Sequence, residues 1–314
     1  MIAPWTRVAF WNRVGEMVSS PVARTLAWAA LLGATGILVR GEAVKPEIPE
    51  GVRVAADLVY REAGGRRARL DVYLPEGPVP AAGRPVVVAV HGGGWRGGSK
   101  SDYGRSLAGL AREGLVVVAV DYCLSRPGVP SWPENLHDIR AALDWVGRNA
   151  AEFGIDPHRV ALLGASAGGH LALLAGLEPL SRNADGEPIR IAAVIDFYGP
   201  TDLRALAAAG TTAAGAAATM LGGSPEAVPG RYGEASPLGR VRPGSPAVLI
   251  LHGDDDQLVP LDQSQALDRA LERAGVVHRL IVVAGARHGF GLQAGARDLS
   301  RDVLAFLRRA WKYE

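Results

Sequence analysis

One serine flanked by small residues stands where an apolar run gives way to a pattern suited to a helix. The stretch reads Gly164-Ala165-Ser166-Ala167-Gly168, with Val160-Ala161-Leu162-Leu163 before it and Gly169-His170-Leu171-Ala172-Leu173-Leu174 after it. This spacing fits the G-x-S-x-G turn that reverses a strand sharply into a helix. Such a reversal strains the serine backbone and leaves no room for bulk on either side. The hydroxyl then projects above the sheet, and the N–H of Ala167 points into the same space. A hydroxyl is a poor nucleophile unless a base takes its proton as it attacks. An imidazole titrates near neutral pH and can take that proton and return it to a leaving group. A carboxylate on the far ring nitrogen fixes the tautomer and stabilises the imidazolium.

His288, in Gly285-Ala286-Arg287-His288-Gly289-Phe290, is the candidate base. The candidate acids are the adjacent Asp254, Asp255 and Asp256, of which one need face the histidine, with Asp202 as an alternative outside that run. The developing oxyanion needs donors as well. His91-Gly92-Gly93-Gly94-Trp95 is a glycine-rich turn whose uncovered N–H groups can approach an anion, so the N–H groups of Gly92, Gly93 and Ala167 are the expected donors. Trp95 is expected to wall the substrate pocket, the alternative being packing within the loop, and His91 to brace the glycine loop. The glycine loop is not a nucleotide-phosphate loop: no G-x-x-x-x-G-K-[ST] is present, and its glycines do not fit the dinucleotide pattern. His170 is expected to pack and His137 to lie at the surface. The single cysteine, Cys123, excludes an internal disulfide and a cysteine-built zinc site, and no H-E-x-x-H occurs, so no metal is expected. Cys123 itself reads as a small buried residue beside a strand end.

These groups must be positioned by a scaffold. Apolar runs at 86–90 and 115–120 read as strands buried on both faces, and those at 160–164, 191–197, 247–251 and 279–283 as further strands. They alternate with helix patterns at 103–113, 133–149, 263–274 and 297–311, which implies a mostly parallel α/β sheet covered on both faces. Residues 52–60 and 69–74 read as a hairpin around Gly64-Gly65. Serine, glycine loop, acids and His288 each follow a strand, so they gather outside the carboxyl ends of the sheet, where ligands bind in such folds. Residues 203–230, rich in Ala, Gly and Thr, read as a small insertion, a possible cap over the site. The chain of 314 residues is 48% hydrophobic with a net charge of +2, which gives no electrostatic case for nucleic acid. Residues 1–45 read as a leader and 46–314 as the main domain. Residues 25–39 carry no charge between Arg24 and Arg40, and export or membrane association through residues 1–40 is expected, the alternative being a cytoplasmic chain whose first helix packs on the domain.

The combined motifs resemble the α/β-hydrolase superfamily, and within it the esterase/lipase group with an H-G-G-G-W oxyanion loop. The resemblance spans roughly residues 52–313 and rests on several segments. Leu70-Asp71-Val72-Tyr73-Leu74-Pro75 is similar to the entry strand. Asp121-Tyr122-Cys123-Leu124-Ser125 is similar to a D-Y-R-L segment, with Cys123 in place of the usual arginine. His252-Gly253-x-x-Asp256-x-x-Val259-Pro260 resembles the acid loop and His288-Gly289-Phe290 the histidine loop. The resemblance implies the α/β-hydrolase fold, Asp256 as the acid, and carboxylic-ester hydrolysis without metal or organic cofactor. Short-chain acyl or acetyl esters, on small molecules or carbohydrates, are the expected substrates. Two alternatives stand: aryl-formamide or other amide cleavage on the same triad, and a non-catalytic binding protein on a hydrolase scaffold.

Overall fold

The computed structural model describes residues 47–178 and 189–312. The leader expected over residues 1–45, with its membrane association, lies outside the described residues. The first elements among the described residues are β1 (Val52–Ala63) and β2 (Arg66–Pro75), which pair as the antiparallel hairpin expected around Gly64 and Gly65. Then follow β3 (Arg84–Val90), α1 (Lys100–Leu107), α2 (Gly109–Arg112), β4 (Val116–Val120), α3 (Glu134–Arg148), α4 (Ala150–Phe153), β5 (Ile155–Ala165) and α5 (Ala167–Gly176). Next come β6 (Ile191–Phe197), α6 (Leu203–Ala208), α7 (Thr212–Leu221), α8 (Pro229–Glu234), β7 (Ala247–Gly253), α9 (Asp262–Arg273), β8 (His278–Val283) and α10 (Ser300–Ala310).

The eight strands form one sheet in the order β1-β2-β4-β3-β5-β6-β7-β8. From β4 to β8 all neighbours are parallel, and the hairpin joins antiparallel through β2. The runs of β-branched residues explain the centre. Val86, Val88, Val118 and Leu162 face one layer of helices, while Val87, Val117, Ala161 and Leu163 face the other. The first layer takes its packing from α3, where Leu136, Ile139, Leu143 and Val146 recur at helical spacing and are at most 2% exposed. Burying each such side chain contributes about 1.5–3 kcal/mol. The second layer is built from α1, α2 and α10, through Leu107, Leu110, Val303 and Leu307.

Two helix expectations shift. The helix expected over 103–113 divides at Ala108, where three-residue hydrogen bonds (Ala108 N–H to Arg105 O, Ala111 N–H to Ala108 O) tighten the chain. The closing helix begins at Ser300 rather than 297, because Asp298 Oδ1 accepts from the Ser300 N–H at 2.9 Å and Oγ–H at 2.5 Å, and residues 297–298 pair with 293–294. The insertion around 203–230 is helical. It packs on the neighbouring loop through the Ser131 and Trp132 N–H groups, which donate to Met220 O at 3.2 and 3.1 Å.

Two of the buried aspartates have no exposure at all. Asp138 on α3 is fully buried and accepts from Arg61 Nη1 at 2.6 Å, from Arg66 Nη2 and from the Cys123 N–H at 2.7 Å. The hairpin thus brings guanidinium groups to the residue beside Cys123. Asp196 on β6 is the second. A Cβ on Gly169 would lie 2.2 Å from its Oδ1 and one on Gly199 2.4 Å, so glycines make the space that the carboxyl fills. Oδ1 accepts from the Gly199 N–H at 3.0 Å, and Oδ2 has no partner among the described residues.

Burial therefore pushes the Asp196 carboxyl up to about 7, against the pull of nearby His252 and the Gly199 N–H. An unfolded aspartate titrates near 3.9, so between about pH 4 and 7 the folded chain binds more protons at this site than the unfolded chain. Stability from this residue is therefore greatest below about pH 4 and is lost as pH rises to about 7. Asp196→Asn is expected to remove that slope. Denaturant midpoints of the two proteins compared from pH 4 to 8 check it; a constant difference across the range would contradict it.

Candidate active site

The turn between β5 and α5 holds Ser166 at φ 55° and ψ −121°, a region that costs a non-glycine residue on the order of 1–3 kcal/mol. Close approach explains the two glycines. A Cβ on Gly164 would lie 2.2 Å from Gly168 O, and a Cβ on Gly168 would lie 2.0 Å from Val90 O. The first glycine lets the helix start against its own strand. The second lets it press on the end of β3, where the glycine-rich loop begins. The Ser166 N–H donates to Phe197 O at 2.8 Å, which ties the turn to β6 as well.

Ser166 Oγ lies 2.9 Å from His288 Nε2, and His288 Nδ1 lies 2.6 Å from Asp256 Oδ2. A carboxylate can only accept, so Nδ1 carries the proton and Nε2 accepts the serine O–H. Asp256 Oδ1 accepts from the N–H groups of Leu258 and Val259, each at 2.9 Å. Burial raises this carboxyl, but the N–H groups of His252, His288 and Val259 outweigh it and hold Asp256 well below the usual carboxylate range. The charged form of Asp256 is therefore the favoured one. The other acids are engaged elsewhere. Asp254 accepts from the Gly285 N–H at 2.6 Å, and Asp255 takes Gln257 at 3.2 Å on an exposed turn. Asp202 caps α6 by accepting from the N–H groups of Arg204 and Ala205.

Beside the serine, Gly92 sits so near that an added Cβ would be 3.5 Å from Ser166 Cβ and 2.9 Å from Ala165 O. Gly93 has φ 114°, and its carbonyl accepts from the N–H groups of Arg96 and Gly97, both at 3.1 Å. The loop thus closes on carbonyl oxygen. The N–H groups of Gly92, Gly93 and Ala167 have no acceptor among the described residues. His91 braces this loop: its ring stacks on Tyr122 at 4.3 Å, and Nδ1 lies 2.8 Å from Gly92 O.

Trp95 requires correction. Expected to wall the substrate pocket, it is 1% exposed and packs under the loop. Its indole N–H donates to His170 Nδ1 at 3.2 Å, and its carbonyl accepts from Ser125. A large ring with one donor is best satisfied by such a buried partner. Burial pushes His170 down to about 4, so the imidazole is neutral and its Nε2–H donates to Ala235 O at 2.7 Å. His137 is at the surface beside Glu134, and Cys123 is half-buried, with burial pushing its thiol up and away from thiolate.

The sequence reading assigned no role to two residues of this site. Tyr198 directly follows β6 at φ 43°, lays its ring 4.6 Å from that of His288, and donates its O–H to Phe290 O. It secures the histidine loop from a strand end 92 residues away in sequence, which no local pattern announces. His252, in the same short motif as Asp256, lies with Nε2 3.3 Å from Asp256 Oδ2.

Comparison with known proteins identifies the family and the fold. The BD-FAE family model matches residues 70–271. The chain is 31% identical over 239 residues to the protein named Esterase LipC of Mycobacterium tuberculosis, covering 73% of this chain and 58% of that one. It thus spans a little under three fifths of the length of that curated relative. Among solved structures, a truncated carbohydrate esterase from gut microbiota superposes with a TM-score of 0.71 at 26% identity, over 87% of this chain and 99% of that one. The propionate-bound esterase Est2 of Thermogutta terrifontis superposes with a TM-score of 0.63 at 28% identity, over 85% and 94%. On the matched 70–271 and the sheet that carries them, the chain belongs to the BD-FAE family and has the α/β-hydrolase fold.

Proposed function

We propose that this chain hydrolyses carboxylic esters through a serine-bound acyl intermediate. One observation carries the reading: Ser166 Oγ is hydrogen-bonded to an imidazole whose other nitrogen is held by a buried carboxylate, Asp256. As Oγ attacks the ester carbonyl carbon, its proton passes to His288 Nε2 and the carbonyl oxygen becomes an oxyanion. The N–H groups of Gly92, Gly93 and Ala167 are the donors for that charge, where loss of one such donor typically costs about 3 kcal/mol. Collapse of the intermediate breaks the bond to the alcohol oxygen, which leaves with the proton from His288. Water then attacks the acyl-serine, giving its proton to His288, and the second collapse releases the acid and restores Ser166. Asp256 stays ionised throughout and stabilises the imidazolium.

Within this class we favour short acyl or acetyl esters, on small molecules or carbohydrates. The support is indirect. One similar structure is described as a carbohydrate esterase and another carries propionate. The named relatives are esterases as well. Export or membrane attachment is a separate proposal, carried by the uncharged residues 25–39 between Arg24 and Arg40. The full chain is expected in the membrane or exported fraction of expressing cells, and recovery in the cytosol alone would refute it.

A panel of p-nitrophenyl esters from acetate to palmitate, run beside an aryl formamide, tests the chemistry. Fast turnover of the short esters is expected, with kcat/KM lowered at least about 10⁴-fold in Ser166→Ala. Protonation of Asp256 should add no step to the acidic limb of kcat/KM, since this carboxyl is held well below the usual carboxylate range. Serine-dependent formamide cleavage without ester turnover would move the reading to the amide branch. Silence on every substrate would favour a binding protein.

A further inference from the structure

Asp256 Oδ2 faces two imidazoles. His288 Nδ1 approaches it at 2.6 Å, and His252 Nε2 lies 3.3 Å away on the other side. The His252 ring is fully buried at the end of β7. Its Nε2 is also 2.9 Å from Val259 O. Both neighbours of Nε2 are acceptors that carry no proton, so Nε2 must hold the hydrogen and share it between them. Nδ1 is then bare. Ser264 Oγ, on α9 and itself fully buried, lies 2.6 Å from Nδ1 and supplies the O–H. The tautomer of His252 is therefore fixed from both ends, and it is opposite to that of His288.

Val259 closes the arrangement. Its N–H donates to Asp256 Oδ1 at 2.9 Å while its carbonyl accepts from His252. His252 thus pins both the turn that carries the carboxylate and the oxygen that faces His288. The other groups around the ring come from β6. The Tyr198 ring lies edge-on at 6.4 Å, and the Asp196 carboxyl is near enough to feel the pull of His252. A fully buried ring cannot touch substrate. What it can do is prevent the carboxylate from rotating about its terminal bond as His288 gains and loses its proton.

We propose that His252 is a positioning residue of this site: its Nε2–H, oriented by the Ser264 hydroxyl, holds Asp256 Oδ2 in line with His288 Nδ1–H. The assignment rests on the serine-esterase reading above, and its tests are separable from it. His252→Leu keeps the volume and removes the donor. It is expected to lower kcat for p-nitrophenyl acetate on the order of 10- to 100-fold with KM within about twofold, the scale of one hydrogen bond to a charged group. Losing one donor concentrates negative charge on the oxygen facing His288. The imidazolium is then held to higher pH, and the acidic limb of kcat/KM should move up. His252→Gln, which retains an N–H donor, should recover most of the rate and return the limb. A Leu variant with lowered thermal stability but with unchanged kcat per folded molecule, or with a limb unmoved or moved down, would reduce His252 to packing and overturn the proposal.

A measurement on the unmutated protein remains decisive if the Leu variant does not fold. With 15N-labelled histidine, the His252 Nε2–H should give a slowly exchanging low-field proton signal that shifts as His288 is protonated, because both donors share Oδ2. Absence of that signal, or its indifference to the His288 titration, would overturn the proposal. Failure of the esterase reading would show elsewhere, as full activity in Ser166→Ala, and would leave this coupling between the two rings intact.

Discussion

Everything at this site depends on how closely one helix can approach one strand. Gly168 lies against the Val90 carbonyl with no space for a single methyl group, and Gly164 lies equally close to Gly168. This contact sets the height of Ser166 above the sheet and places the serine beside the loop that leaves β3 at His91. A larger residue at either glycine would open a wedge between α5 and β3, and the serine and the N–H of Gly92 would part company. The strained dihedral angles of Ser166 are a consequence of that tight fit rather than an independent feature. They persist because the Ser166 N–H bond to Phe197 and the packed helix over-determine them.

The second constraint is electrostatic. Burying a carboxylate is costly, and a carboxylate that took up a proton would no longer stabilise an imidazolium. Asp256 escapes this by collecting donors from three directions: two main-chain N–H groups on one oxygen and two imidazoles on the other. Asp196, only one strand away, shows the opposite outcome. It has one main-chain donor and an oxygen without a partner among the described residues, and its burial favours the neutral acid. The number of donors separates the two buried aspartates and sets their different electrostatic character.

Much of the scaffold was legible because it is written locally. Runs such as Val86 to Val90 can only be strands covered on both faces, and small residues around Ser166 can only mean a tight turn with a strand before it. The gathering of Ser166, His288 and Asp256 followed from topology, since each lies at the carboxyl end of a parallel strand. The choice of Asp256 among three adjacent acids was not in the residues themselves. It came from resemblance, and in the structure it follows from which side of the turn is buried. Trp95 was misread because a tryptophan beside a glycine loop gives no local sign of its partner, His170, 75 residues on. Tyr198 and His252 were overlooked for the same reason, as their partners are distant in sequence or ambiguous until the turn is folded.

The contact between Trp95 and His170 has a consequence for how this chain can change. The indole offers one donor and no acceptor, so position 170 must present an acceptor to it while presenting a donor to Ala235 O on the opposite side. Among rigid side chains of that size, a neutral imidazole answers both demands at once. Position 95 on the glycine loop and position 170 on the elbow helix are therefore a matched pair. Neither tolerates exchange alone, and a compensated double replacement is the route by which both could drift together. The loop and the nucleophile helix are in this sense inherited as one unit, although the two positions lie 75 residues apart with two strands of the sheet between them along the chain.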